Sequence, residues 1–337
     1  MRDYINLLGL VLLLSLVFYP FELLAPAEKG QPFAKRLLNL AYMPVFLALA
    51  LFVLAPVVNP IASGVLRISG KGLLPNWSNH PSFVVQFLFA IAFALCWDFL
   101  QYWLHRWQHK SSWLWQTHKF HHSDTALNAT TQSRHHLLHL FLSTIFYLPV
   151  LVVFSTQVPH SVALFLMFRL WGFVNHANLR LDIGPLTPVI SGPHWHRIHH
   201  SILPEHRDKN FATFFPFIDR IFGTYYRPRK NEYPPSGLHD GETSSPVREA
   251  TLAPFFAWFR DGLTLMKRIV PVRNFQTAIA PRNICLSESA DAYARSIAEQ
   301  TPNTTSSSMC DQMGKLRTVP ASNSVFRRGA VVDVNER

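Results

Sequence analysis

The sequence predicts an all-α integral membrane protein with about four to five transmembrane helices and a helical cap rich in histidine. Three observations lead to this class. Of the 337 residues, 49% are hydrophobic and only 15% are charged, against roughly 25% charged in soluble proteins. Several apolar runs are long enough to span a bilayer. Fifteen of the 17 histidines lie between residues 105 and 206.

Charge and cysteine content narrow the class further. The chain has a net charge of +11. Its basic residues do not form a stripe with interleaved aromatic residues, so no nucleic-acid partner is predicted. The basic residues flank apolar runs and collect in the tail, which is typical of contact with anionic lipid headgroups. The three cysteines form no CxxC pair, which excludes a disulfide framework and a zinc ribbon.

Two apolar segments open the chain. Residues 5–19 predict an uncleaved membrane helix rather than a signal peptide, because no small-residue cleavage site follows. This run is short, so an interfacial or re-entrant helix stays open as an alternative. Residues 37–58 contain no charge and predict a second span, with Pro44 and Pro56 as kink positions.

A third span is predicted over residues 83–104, and residues 137–154 and 161–174 predict a helical hairpin. Asp98 lies inside the third span, two helical turns before His105. An ionisable residue in a membrane helix usually marks function. We expect Asp98 to orient His105 by accepting its second ring N–H, with a capping or packing role as the alternative.

The histidines fall into groups with intervals of three and four residues, which place side chains on one face of a helix. Three groups have this spacing: His105/His109, His118/His121/His122 and His196/His199/His200. Neutral imidazole is a common metal ligand, and eight are too many for one tetrahedral zinc. The groups therefore predict a dimetal site in the helical cap. Isolated histidines are expected to be ordinary hydrogen-bonded residues: His80, His160 and His239.

The cap is predicted to be cytosolic. All the histidine groups must reach one site, which puts both ends of the hairpin and the end of the third span on one side of the membrane. The loop at residues 28–36 falls on that side and carries three basic residues. Further Lys and Arg residues lie among the histidine groups, and the positive-inside rule then assigns this face to the cytoplasm.

Four regions follow along the chain. Residues 1–82 hold the N-terminal membrane helices and their connecting loop, and residues 83–226 form the catalytic domain. Residues 227–299 are a linker with a helix near 252–270, lying either on the membrane surface or against the catalytic domain. Residues 300–337 read as a disordered basic tail.

A set of motifs over roughly residues 83–226 resembles the fatty acid hydroxylase/sterol desaturase superfamily. The order and spacing of these motifs are specific to the superfamily but not to one substrate. The motifs are Trp97 to Arg106, His118 to Ser123, Asn128 to Thr131, Arg134 to His136, His176 to Asn178, Pro193 to Ser201, Asp208 to Phe211, and Asp219 to Tyr225.

The resemblance implies a membrane enzyme with two iron ions held by histidines. The implied ligands are His105, His109, His118, His121, His122, His136, His176, His196, His199 and His200. Residues implied to support the ligands are Asp98, Arg134, Asn178, Asp208 and Asn210. No catalytic residue apart from the ligands is implied, and three further histidines have no counterpart in the family: His135, His139 and His194.

The implied reaction is O₂-dependent hydroxylation or desaturation of a lipid, such as a sterol, a fatty acyl chain, or an isoprenoid or ether lipid. Unactivated C–H bonds resist acids, bases and nucleophiles, whereas reduced iron with O₂ attacks them, and iron accepts imidazole ligands. The chain has no GxGxxG or CxxCH motif. An external electron donor is therefore expected, either a b-type cytochrome or a ferredoxin with its reductase.

Two other functions stay open from the residues alone. A zinc-dependent membrane hydrolase needs about three ligands, an open position and a carboxylate base, but HExxH is absent and carboxylates near the histidines are few. A metal transporter or sensor would carry its histidines within the spans. The expected location is a bacterial inner membrane, with the endoplasmic reticulum as the alternative, because no terminal di-lysine or KDEL-type signal is present.

Overall fold

A computed structural model describes residues 1–69, 73–74, 80–154, 158–239 and 246–269. The described residues form helices and loops without any β-strand, which confirms the predicted all-α class. The helices are α1 (Arg2–Leu24), α2 (Phe33–Leu49), α3 (Ala55–Ser69), α4 (Phe83–Lys110), α5 (Ser112–His122), α6 (Leu137–Phe154), α7 (Val158–His176), α8 (Pro193–His199), α9 (Phe217–Ile221), α10 (Pro246–Ala250) and α11 (Ala253–Ile269).

Four helical segments are long and apolar enough to cross a membrane, in agreement with the predicted four to five. They are Arg2–Leu24, Phe33–Ile68, Phe83–Lys110 and Leu137–Phe154. Few of their residues are buried inside the protein, so their apolar side chains are available to lipid. The first segment has 23 residues, which is longer than residues 5–19 and sufficient for a full span.

The second segment is longer than predicted. It runs over 36 residues as α2, a π-helical turn at Ala50–Leu54, and α3. Pro44 and Pro60 lie inside its helical parts. A π-turn accommodates extra residues without ending a helix, so the prolines do not divide the segment into separate helices.

The predicted hairpin corresponds to α6 and α7. The third span continues past residue 104 as α4, so that His105 and His109 extend the same helix beyond its apolar part. After Ser111, α5 turns back, and its first turn is capped by the Ser111 side chain, which accepts from the Leu114 amide. The end of α4 and the whole of α5 are thus neighbouring helical parts of the cap.

In the core of the cap, α4 packs against α8 and against residues 207–225, which follow α8. Tyr102 on α4 packs in one cluster with Trp195 on α8 and with Phe211 and Ile218. The Tyr102 hydroxyl also forms a hydrogen bond with Thr224 (2.9 Å). This packing fixes residues 207–225 against the end of α4, next to the histidines.

The C-terminal helices pack against α5. The Trp258 indole donates to the Trp113 carbonyl (3.0 Å), and the two rings stack 5.5 Å apart. Phe256 and Phe259 on α11 are exposed. The helix predicted near residues 252–270 therefore packs on the cap with one face, and its contact with a membrane surface stays a prediction. The predicted disordered tail lies outside the described residues.

Candidate metal centre

Nine buried or half-buried histidines from four helices and one turn meet in the cap and form two groups. We call the first group site A; it contains His105, His109, His118, His122 and His199. We call the second group site B; it contains His121, His176, His196 and His200. Within each group, the candidate ligand nitrogens all lie within 4.8 Å of one another. The structure therefore brings together nine of the ten predicted ligands.

The HxxHH motifs explain why two groups form. Positions i and i+4 share one helix face, whereas consecutive residues point about 100° apart. On α5, His118 and His122 belong to site A and His121 belongs to site B. The arrangement is reversed at α8, where site B receives His196 and His200 and site A receives His199. Each motif thus supplies both sites, which fixes the two sites side by side.

Backbone carbonyls orient the rings at both sites. The Nδ1 atom of His105 is 2.8 Å from the Phe211 carbonyl oxygen, and that of His199 is 2.9 Å from the Lys209 carbonyl oxygen. At site B, His176 Nδ1 is 2.6 Å from the Gly172 carbonyl oxygen. Since a carbonyl only accepts, Nδ1 carries the proton in each ring and Nε2 presents a lone pair.

Those lone pairs point at other ring nitrogens. His199 Nε2 lies 3.1 Å from His122 Nε2, and His176 Nε2 lies 3.0 Å from His121 Nε2 and 3.1 Å from His196 Nε2. His105 Nε2 is buried and has no hydrogen-bond partner among the described residues. Converging buried lone pairs are costly unless a cation lies between them, so this arrangement fits bound metal.

The spacing also bears on the kind of metal. With metal–nitrogen bonds of about 2.1 Å, neighbouring ligands at 90° are about 3.0 Å apart, and tetrahedral ligands are about 3.4 Å apart. The observed separations of 3.0–3.1 Å match the 90° arrangement. Site A, with five donors, therefore fits a metal with more than four ligands better than tetrahedral zinc, whereas site B has four donors.

Burial keeps these imidazoles neutral. It lowers the pKa of the six histidines of the two HxxHH motifs well below the usual 6.5, and neighbouring imidazoles lower it further. A charged ring loses more hydration on burial than a neutral ring does, and like charges add repulsion. Because metal binds the neutral imidazole, the cluster is ready to bind metal near neutral pH.

Two buried carboxylates hold the loop that carries the orienting carbonyls. Asp98 accepts hydrogen bonds from the amides of residues 213, 214 and 215 at 2.7–3.0 Å. Asp219 accepts from the amides of Phe211 and Ala212 at 2.8 and 2.9 Å. The expectation that Asp98 accepts a ring N–H of His105 is thus wrong, because that N–H donates to the Phe211 carbonyl and Asp98 accepts backbone amides instead. Asp98 acts on His105 through the loop.

Asp208 and Asn210 shape the start of the same loop. Both have left-handed backbone conformations, with φ of 60° and 61°, which asparagine and aspartate tolerate better than most residues. Asn210 donates to the Trp195 and Tyr226 carbonyls (3.1 Å each). Asp208 pairs with Lys110 (2.6 Å) and lies 4.0 Å from His109. The predicted supporting residues therefore act mainly by fixing backbone.

Arg134 and Asn178 support the ends of the ligand helices. Arg134 donates to the Phe120 carbonyl (3.3 Å) and the Ser123 hydroxyl (2.6 Å), at the end of α5. Asn178 accepts from the Arg197 guanidinium of α8 (2.9 Å). These contacts hold the two HxxHH segments in place without touching a ligand nitrogen.

His136 lies apart from both sites. Its Nε2 is 2.9 Å from the Thr251 carbonyl oxygen, and its Nδ1 accepts from the Leu138 amide (3.1 Å). Both ring nitrogens are therefore occupied in linking α6 to the turn before α11. The expectation that His136 is a ligand is not supported, because both of its ring nitrogens have partners outside sites A and B.

His135 and His139, which have no counterpart in the family, lie closer to the two sites than His136 does. His135 stacks on His121 with ring centroids 4.6 Å apart, and His139 stacks on His118 at 5.4 Å. Their i, i+4 spacing is the signal that indicates a shared face. His139 also bonds Gln108 (2.8 Å). His194 instead bonds the Glu232 carbonyl (2.8 Å) and has a structural role.

A cavity of about 130 Å³ lies beside the two sites. Its lining includes His105 and His118 of site A and His121, His176 and His196 of site B. A separate apolar groove of about 360 Å³ runs between α1, α2 and α7. Phe46, Gln132 and Arg169 line both spaces, so the groove between the lipid-facing helices adjoins the cavity beside the histidines.

Comparison with known proteins identifies the region that holds this cluster. Residues 90–224 match the model of the family described as fatty acid hydroxylase. The chain is 35% identical over 154 residues to alkylglycerol monooxygenase of Homo sapiens, covering 45% of this chain and 33% of that protein. It is 30% identical over 167 residues to a Delta(7)-sterol 5(6)-desaturase of Gibberella zeae, covering 49% and 46%.

A bacterial relative is also similar. The ornithine lipid hydroxylase of Rhizobium tropici is 26% identical over 156 residues, covering 45% of each protein. The matches span less than half the length of these curated relatives. No solved structure matches the chain significantly. The shared region is therefore the part that carries sites A and B.

Proposed function

We propose that this chain, whose residues 90–224 form a domain of the fatty acid hydroxylase family, is a membrane oxygenase that uses two iron ions and O₂ to hydroxylate or desaturate a lipid. The observation that carries the proposal is the position of sites A and B: members of both groups of converging imidazoles line a cavity that adjoins an apolar groove between membrane helices.

The donor set fits iron. All nine donors are imidazole nitrogens, which suit iron as well as zinc, and the five donors of site A exceed the four that a tetrahedral zinc site takes. When bound, two irons would activate O₂ for the removal of hydrogen from an unactivated C–H bond, with the two electrons coming from an external donor. The protein needs no separate acid, base or nucleophile for that step, consistent with the lack of a catalytic carboxylate among the lining residues described.

The residues of the chain position the reactants. Carbonyls of the loop held by Asp98 and Asp219 fix the rings of His105 and His199. The groove holds an apolar chain and directs one end of it towards the histidines. Precise positioning of this kind accounts for much of an enzyme's rate acceleration.

We further propose that the histidine sites face the cytoplasm, where an electron donor such as a b-type cytochrome or a ferredoxin with its reductase is available. The basic residues around the cap support this orientation by the positive-inside rule. The membrane in question is a bacterial inner membrane or, alternatively, the endoplasmic reticulum. The relatives named for lipid oxidation support a lipid as the substrate class.

Oxygen isotope labelling tests the proposal. Membranes from cells that express the wild-type chain or the His199→Ala variant are incubated under oxygen-18 gas, and the lipids are compared by mass spectrometry. We expect a lipid that gains one heavy oxygen, or loses two hydrogens, only with the wild type.

A zinc-dependent hydrolase gives a different isotope pattern. Its product takes up oxygen from water and forms equally well without O₂. A product labelled from oxygen-18 water, and unaffected by removal of O₂, would therefore contradict the oxygenase and support the hydrolase.

A further inference from the structure

The C-terminal helix α11 and the residue before it carry an apolar stripe that is exposed in the described structure. The four residues of the stripe follow one another at intervals of four, three and four positions, which places them on one face of a helix. Single exposed apolar residues are ordinary, whereas a contiguous set marks a contact with another molecule or with a membrane. We call this set the α11 stripe; its side chains are between 43% and 66% exposed, and they belong to Leu252, Phe256, Phe259 and Leu263.

A different face of α11 holds the helix against the cap. The Trp258 indole donates to the Trp113 carbonyl (3.0 Å), and the Phe255 ring lies 6.3 Å from the His136 ring. Trp258 points about 100° away from its neighbour Phe259, because successive residues of an α-helix are separated by that angle. The α11 stripe is therefore not the face that packs on α5, and it stays uncovered although the helix is docked.

The α11 stripe has a basic edge. Arg260 follows Phe256 by four positions and so borders the stripe, and its side chain is 74% exposed. The pair of Arg260 with Asp261 (3.4 Å) is exposed and therefore weak. Two further basic residues follow at positions 267 and 268. Apolar residues bordered by basic ones are typical of helices that lie in the interface of a membrane with anionic lipid.

The contacts of α11 lie next to the ends of two candidate membrane spans. His136, whose Nε2 is 2.9 Å from the Thr251 carbonyl oxygen, directly precedes the span Leu137–Phe154. Trp113, which is hydrogen-bonded to α11, follows the span Phe83–Lys110 by three residues. Its side chain is 51% exposed, and tryptophan is enriched where a protein crosses the membrane–water boundary. The α11 stripe thus continues from the place where the chain leaves the bilayer.

From these observations we infer that α11 is a membrane-surface helix. The α11 stripe enters the boundary between headgroups and acyl chains in the leaflet on the side of the metal sites, and Arg260 contacts anionic headgroups. A second copy of the chain is the other occupant for an apolar stripe, but the span ends and the basic edge favour lipid. The contact ties α5, which carries three of the candidate ligands, to the membrane surface. It goes beyond the proposed reaction and does not depend on it.

A spin-label depth measurement tests the inference on the full-length protein. The native cysteines at positions 96, 285 and 310 are replaced by serine, and a nitroxide is attached to one new cysteine, at Phe259→Cys or at Thr264→Cys. Both positions are exposed, and Thr264 lies about 140° around the helix from Phe259, which makes it the matched control. The protein is reconstituted into bilayers of equal amounts of phosphatidylcholine and phosphatidylglycerol.

The two labels should report opposite environments. We expect the label at position 259 to collide more often with O₂ than with a water-soluble nickel complex, at a depth of about 5–10 Å. The label at position 264 should collide more often with the nickel complex. If Phe259→Cys does not fold, Leu263→Cys takes its place.

Two results overturn the inference. Equal access of the nickel complex to positions 259 and 264 means that the α11 stripe lies in water. Low access of both reagents to position 259, together with magnetic coupling between labels on two chains, means that a second copy covers the stripe.

A bilayer of phosphatidylcholine alone tests the role of Arg260. The ratio of inserted to exposed label at position 259 should be up to about fivefold lower than in the mixed bilayer, as one basic residue at an anionic surface predicts. Arg260→Gln should reduce this difference, whereas the control Arg67→Gln, on α3, should keep it. An equal ratio in the two bilayers overturns the assignment of anionic lipid to this surface.

Discussion

Replacing Asp98 with asparagine tests how the fold orients site A. The Asp98 carboxylate is fully buried and accepts three backbone amides, from Thr213, Phe214 and Phe215. In Asp98→Asn, the remaining oxygen can serve two of these amides, and the new NH₂ group faces the third. Two donors then oppose each other in a site without water access.

The expected cost follows from these contacts. The loss of one charge-assisted hydrogen bond removes about 1.5–3 kcal/mol, and an unpaired buried amide costs a further ~1–3 kcal/mol. We therefore expect the free energy of unfolding to fall by roughly 3 kcal/mol or more. At about 2–4 °C per kcal/mol for a chain of this size, the melting temperature falls by roughly 6 °C or more.

In Asp98→Asn, the loop that carries the Phe211 carbonyl should also shift, which should weaken metal binding at site A more than at site B. Asp98 fixes the residues that follow Phe211, whose carbonyl orients His105 of site A. Metal analysis of purified Asp98→Asn should thus show less than the wild-type content, lost mainly from site A. Asp182→Asn is the matched control: its exposed carboxylate accepts one amide, from Gly184 (2.8 Å), and we expect a change within about 0.5 kcal/mol. Unchanged melting and metal content in Asp98→Asn would refute this reasoning.

Three further predictions concern the surroundings of the sites. Arg36→Met breaks a buried ion pair with Glu22 (2.6 Å), so thermal unfolding should show that the free energy of unfolding falls by about 3–5 kcal/mol. A variant as stable as the wild type would contradict this prediction. His136→Ala should keep the full metal content and lose about 1 kcal/mol of stability, because its ring bonds the Thr251 carbonyl; loss of metal would restore His136 as a ligand. The free energy of unfolding of the metal-free protein should decrease as the pH falls below about 6.5. The histidines of the unfolded chain then bind protons, whereas His118 and His199, whose pKa values are lowered by burial, stay neutral in the folded protein. Equal melting temperatures at about pH 7.5 and 5.5 would contradict this prediction.

The helical class and most of the histidine cluster could be predicted because they depend on local periodicity. Apolar runs of span length specify membrane helices, and intervals of three and four residues place His118, His121 and His122 on adjoining helix faces. The division into two sites also follows from this spacing. It requires only that consecutive residues of a helix point in different directions.

Features that depend on long-range contacts could not be predicted. The carbonyl of Phe211 orients His105 across 106 residues of sequence, and backbone acceptors leave no side-chain pattern. The positions of His135 and His136 could not be predicted for a related reason. Both residues precede α6, and long-range contacts set their rings: His136 bonds the Thr251 carbonyl, whereas His135 stacks on His121.

The most direct test of the account is the metal stoichiometry of the purified protein. Elemental analysis of the wild type should give close to two irons per chain. His199→Ala, in site A, and His121→Ala, in site B, should each lower that content, whereas Arg67→Met should not. A single tightly bound zinc, or an iron content that neither histidine variant changes, would contradict the two-iron centre.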